Sequence, residues 1–103
     1  MTALASYRIA FSAVADPPAD SAAAHRLREA LRTMPGIDAV DDVAQDGDAR
    51  RVYAAFWISV RLGMADAARD GSRLAKEALK VAGLAETLLV ELAVTLQDDA
   101  SGA

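Results

Sequence analysis

Cysteine is absent from the chain. Its absence removes disulfides, thiolate nucleophiles and thiolate metal sites together, and it suits a reducing compartment, so the expected localisation is cytoplasmic. Histidine occurs once, at His25, and lysine only at Lys76 and Lys80. A lone histidine with no acid or nucleophile placed beside it makes neither a catalytic triad nor a metal site. Positive charge is the minority: 11 Lys and Arg stand against 15 Asp and Glu, for a formal net charge of −4. Phosphate backbones are bound by clustered positive charge, so no nucleic acid partner is expected. No apolar run reaches the roughly 20 residues needed to cross a bilayer, so a soluble chain with no membrane partner is expected. The apolar stretch from Ile9 to Ala15 has Arg8 against it and no basic residue before that arginine. It reads as a strand, not as a cleaved leader. Dinucleotide and Walker-type glycine loops are also missing, and Asp16 and Asp20 follow the first apolar stretch where a phosphate would be repelled. No cofactor is expected.

What the chain has in plenty is alanine, within an apolar content of 53% over 103 residues. That length suits one domain, with its core at about residues 6–97 and a disordered tail expected over 98–103. Alanine buries little area, so Leu, Ile, Val and Phe must supply most of the core energy, at roughly 1.5–3 kcal/mol for each fully buried side chain. Alanine abundance and the excess of arginine over lysine are what a GC-rich, bacterial-type coding sequence produces.

Tyr7, Ile9, Phe11 and Ala13 alternate with Arg8, Ala10 and Ser12, the period-two pattern of a half-buried strand. After the proline- and acid-rich turn at 16–20, Ala24, Leu27, Leu31 and Met34 share one helical face from about Ser21 to Met34, and Pro35-Gly36 ends that helix. His25 lies about 160° around the helix from Leu27 and should face water. A weak, acidic strand follows from Ile37 to Gln45, and then Asp46-Gly47, a hairpin-turn dipeptide. Arg50 to Arg61 forms the clearest strand. Its even positions Val52, Ala54, Phe56, Ile58 and Val60 are all apolar, and its odd positions mix Arg51, Tyr53, Ala55, Trp57, Ser59 and Arg61.

A two-residue hairpin sets Asp42 opposite Arg51 and puts Ile37, Ala39, Asp41 and Val43 on the core side. An inward Asp41 in a weak strand marks an edge strand, where a bulge would be at home. A second helix runs from about Met64 to Ala82, with Ala67, Gly71, Leu74, Ala78 and Val81 inward and Gly83 ending it. Glycine inside a helix costs about 1 kcal/mol relative to alanine, which predicts close packing of Gly71 against a neighbouring backbone. In the last strand Leu88, Val90, Leu92, Val94 and Leu96 take the core phase and Leu89, Glu91, Ala93 and Thr95 the other.

The order β-α-β-β-α-β with right-handed crossovers makes a ferredoxin-like α+β sandwich: a four-stranded antiparallel sheet, order 4-1-3-2, with both helices on one face. By element order the chain resembles several families. RNA-recognition motifs stack bases on aromatics from both central strands, but here only Tyr53 and Trp57, on one strand, are available. Heavy-metal-associated domains carry a Cys-x-x-Cys that is missing. Acylphosphatase-like enzymes need an anion-binding arginine in the first loop, where this chain has acid. ACT-like regulatory domains and dimeric α+β barrel proteins remain, and Met34-Pro35-Gly36-Ile37 is similar to the ACT-like helix-to-strand turn.

The acids Asp38, Asp41, Asp42, Asp46 and Asp48 do not fit a calcium loop, because one starting at Asp42 would have Ala44 at its third position and Tyr53 at its twelfth. No metal site and no catalytic residue is assigned. The candidate site is instead the sheet face without helices, with Ala10, Ser12, Tyr53, Ala55, Trp57, Leu89 and Ala93 as its ligand or interface residues. An aromatic anchor among small residues suits close approach of a second surface. The expected function is a non-catalytic interaction module, partnering with itself as a homodimer or higher symmetric oligomer, or docking on another protein. The alternative is a small-molecule binder of the ACT-like kind or a cofactor-independent dimeric α+β barrel enzyme.

Overall fold

The computed structural model describes residues 4–15, 20–46, 50–61, 63–84 and 87–97. The proposed tail at 98–103, Asp16, Gly47 and Asp48 lie outside them. The elements are β1 (Ala5–Val14), α1 (Ala23–Thr33), β2 (Ala39–Gln45), β3 (Arg51–Val60), α2 (Met64–Val81) and β4 (Leu88–Leu96). The sheet order is β2-β3-β1-β4 with antiparallel neighbours, which is the expected ferredoxin-like sandwich read from the other edge. Strands β1 and β3 are central, and β2 and β4 are the edges. Among the described residues no helix is long and apolar enough to cross a membrane.

The two clean alternations make the core. Tyr7, Ile9, Phe11 and Ala13 of β1 and Val52, Ala54, Phe56, Ile58 and Val60 of β3 are buried against Leu27 and Leu31 of α1 and Leu74 and Leu79 of α2. Phe11 and Phe56 meet edge to face, with ring centroids 6.2 Å apart. Both helices therefore cover one sheet face, and the other carries none. Arg26 ties the helices at one end: its Nε donates to the Ala82 carbonyl at 2.8 Å, and its Nη1 donates to both Asp20 carboxylate oxygens at 2.8 and 2.9 Å. That guanidinium lowers the pKa of Asp20, aided by the Ala22 N–H. His25 is exposed, as its helical phase implies.

Helix α2 ends as its glycine requires. Gly83 has φ +79°, Leu84 N–H donates to Leu79 O at 2.7 Å, and Gly83 N–H donates to Lys80 O at 3.1 Å, a Schellman turn with Leu79 and Leu84 both buried. Gly71 is buried, and a Cβ there would lie 2.8–2.9 Å from three side-chain atoms of Ile9. The close packing is real, but its partner is a β1 side chain, not a backbone. The inward stripe of α2 continues through Ala75, Ala78 and Leu79 to Ala82, leaving Val81 exposed, because a 3.6-residue period carries the buried row past Val81. In α1 the innermost alanines are Ala23 and Ala30, and Ala24 is half-buried.

Four expectations about the edges are corrected. Asp42 lies opposite Ala55, not Arg51, four residues further along β3. Asp46 N–H donates to Arg51 O at 2.9 Å, so four residues (47–50) separate the paired ends and the connection is longer than a two-residue turn. A register break between Val40 and Asp42 makes Asp41 an extra residue, so Val40 packs on the core, Ala39 turns to the open face opposite Trp57, and Asp41 is not inward. On β4 the register shifts at the Ser12/Ala13 step, with Glu91 opposite Ser12 and Leu89 opposite Ala13. Val90 is the extra residue there. Leu89 consequently joins Leu92 and Val94 against the core, and Leu88, opposite Val14, moves to the open face.

Candidate functional site: the uncovered sheet face

Strand phase assigns the floor of this face. Ala10 of β1 lies between Ala55 of β3 and Ala93 of β4, and Ser12 lies between Tyr53 and Glu91. Three methyl groups in a row leave a depression where larger side chains would have filled the sheet surface. The result is a concavity of about 560 Å³ floored by Ala10, Ser12, Ala55 and Ala93, with Arg8, Asp42, Tyr53, Val90 and Glu91 around it. Of the residues expected at the site, Ala10, Ser12, Tyr53, Ala55 and Ala93 are brought together. Trp57 shares the face but not the concavity. It is half-buried, between Arg8 and Ala39 on the neighbouring strands, two residues along β3 from Ala55. Leu89 is on the helix side and leaves the site.

Alternation alone puts Val90 in the core phase, yet it lines the concavity because of the β4 bulge. Asp42 also enters, carried there by the true β2–β3 register. Strand alternation carries no mark of the β4 bulge, and of the β2 bulge only the apparently inward charge of Asp41.

A polar network surrounds the alanines. Ser12 Oγ donates to Glu91 Oε1 at 3.0 Å, and Arg51 Nη1 approaches the same oxygen at 3.5 Å, so buried Ser12 is roofed by an ion pair that reaches across β1. Arg8 Nε donates to Asp41 Oδ2 at 2.7 Å, Ser59 Oγ to Asp38 Oδ2 at 2.6 Å, and Tyr53 Oη to Asp46 Oδ2 at 3.2 Å. Desolvation, then the Asp46 carboxylate beside it, raises the Tyr53 phenol pKa, which keeps it a neutral donor. Asp41 at the β2 bulge, and Asp38 and Asp46 just beyond the two ends of β2, thus each hold a different sheet residue. Among the described residues no group of three or more His, Cys, Asp or Glu could hold a metal ion. Chemically the face offers an apolar depression edged by the Asp42 carboxylate, an indole beside it, and the ion pairs Arg8–Asp41 and Arg51–Glu91 on its rim. No family model matches the chain, and no curated protein is similar to it.

Proposed function

We propose that this protein is a non-catalytic assembly module whose open sheet face packs on the same face of a second copy. The observation that carries the reading is the offset between the alanine-floored concavity and Trp57, which stands beside it without filling it. Two residues along a strand is about 6.8 Å. A two-fold axis between the sheets, midway along that interval, sets each indole over the alanines of its partner, so one self-complementary patch supplies both knob and hole. The face is large enough for this. Four strands at about 4.8 Å spacing, each about 30 Å long, present roughly 550–600 Å² per copy, so pairing covers on the order of 1,150 Å², at the lower end for specific interfaces. The paired charges of Arg8, Asp41, Arg51 and Glu91 then form the rim, where no charge needs to be stripped of its partner. Within this reading the chain works in the cytoplasm, which the absence of cysteine supports.

A second reading, a small-molecule site, is favoured by the volume of the concavity, which falls in the usual pocket range of about 300–1,000 Å³. The discriminating experiment is light scattering on wild type and Trp57→Glu at matched concentration. The variant should stay folded by circular dichroism and lose mass, because an unpaired carboxylate in a buried interface costs several kcal/mol. A monomeric wild type, or a variant of undiminished mass, contradicts the assembly reading. A thermal-shift response to one member of a panel of amino acids, nucleotides and aromatic metabolites would then support the second.

A further inference from the structure

The two edges of the sheet are defended very differently. On β2, the bulge at Asp41 breaks the regular register, and Asp38, Asp41, Asp42 and Asp46 line the strand and its ends. Bulges and charges are how proteins stop an exposed edge from pairing. On β4, the sequence LLVELAVTL carries one charge, Glu91, which is engaged by Ser12 and Arg51 on the open face. Its apolar side chains are poorly covered: Leu88 is 67% exposed, Leu96 49% and Val90 40%. The β4 bulge sits near the start of the strand, so Glu91 to Leu96 is regular.

From these observations we infer that β4 is a second interface, at which it pairs antiparallel with β4 of another copy to join two sheets into one of eight strands. The direction of the free backbone groups supports it. Gln97 N–H donates to Ser6 O, so Gln97, Thr95 and Ala93 direct their backbone groups towards β1, and Leu96, Val94 and Leu92 direct theirs outward. A two-fold axis at Ala93 sets Leu92 of one strand opposite Val94 of the other. Both members of each such pair then have outward groups to exchange. In the same register Glu91 meets Thr95, so no like charges face each other. The acid-guarded β2 cannot take the place of the second β4, which makes the contact isologous and closes it at two copies. Because Val90, Glu91 and Ala93 line the concavity, the pairing also sets two concavities side by side on one continuous face.

This interface uses a different surface from the contact around Trp57 and does not depend on it. The test exploits the absence of cysteine. A central Ala93–Ala93 pair is a non-hydrogen-bonded one, with Cα atoms about 4.5 Å apart, within disulfide reach. Ala93→Cys should therefore convert to a covalent dimer under mild oxidation. Thr95→Cys, displaced about 13 Å from its own copy in that register, should not. Both are made with Trp57 intact and in the Trp57→Glu background. Selective crosslinking at position 93 in both backgrounds supports the β4 interface, whatever becomes of the Trp57 contact. Crosslinking only with Trp57 intact, equal crosslinking at both positions, or none at all overturns it.

Discussion

Gly71→Ala sets two effects of opposite sign against each other at one buried position. Alanine is favoured over glycine in a helix interior by about 0.8–1.0 kcal/mol. Against that, the new Cβ would lie 2.8 Å from Ile9 Cδ1 and 2.9 Å from Cγ1 and Cγ2, and Ile9 is fully buried, so its branched side chain has nowhere to swing. Overpacking of this kind costs typically about 1–3 kcal/mol, so the net effect is destabilisation of about 0–2 kcal/mol, and Gly71→Leu should cost more. Ile9→Ala removes all three clashing atoms. In that background, itself destabilised by about 2–5 kcal/mol, Gly71→Ala should turn stabilising by up to about 1 kcal/mol, because only the helix term is left. The assay is urea unfolding of the four proteins in the cycle, with Ile9→Val, which removes only Cδ1, standing in if Ile9→Ala does not fold. An equal effect of Gly71→Ala in both backgrounds, or a gain in the wild-type background, would refute the packing of α2 on β1.

Two pH responses follow from paired groups. Tyr53 has its pKa raised in the folded chain, so its contribution is complete below the unfolded value of about 10 and is lost as the pH rises through the folded value. Tyrosinate absorbance should show Asp46→Asn moving the Tyr53 titration to lower pH, and an unmoved titration would deny the hydrogen bond. Asp20 has its pKa lowered, so its contribution is complete above the unfolded value of about 3.9 and is lost as the pH falls through the folded value. Asp20→Asn should flatten the acid limb of stability against pH, and an identical acid limb would remove Asp20 from the clamp that joins the helices.

The fold was legible where a strand or helix repeats its period without interference. Val52 to Val60 has every even position apolar, so β3 permits only one buried phase, and β1 follows the same logic from Tyr7 to Ala13. Gly83 marked the end of α2 because a left-handed residue is needed there. The edges were not legible for a physical reason. A bulge is a property of a pair of strands, and the extra residue looks like any other in its own chain. In β4, Leu88, Leu89 and Val90 are all apolar, so either phase satisfies alternation up to Val90, and only pairing with β1 shows that Leu89 turns inward. In β2 the apparent inward charge at Asp41 was the one visible trace of its bulge, and Arg8 on the open face is where that charge goes. The alanine floor could be read from the strand phases, but the placement of Trp57 beside the concavity required the assembled sheet.

Trp57 is the single tryptophan of the chain, so its fluorescence reports directly on the open face. The measurement is its emission and its quenching by a soluble quencher, followed through a dilution series in parallel with mass from light scattering. Packing of two open faces predicts that emission moves to shorter wavelength and quenching falls across the same concentration range in which the mass rises from one chain to two. A rise in mass with emission and quenching unchanged would place the contact elsewhere, and a chain that stays monomeric throughout would contradict the account outright.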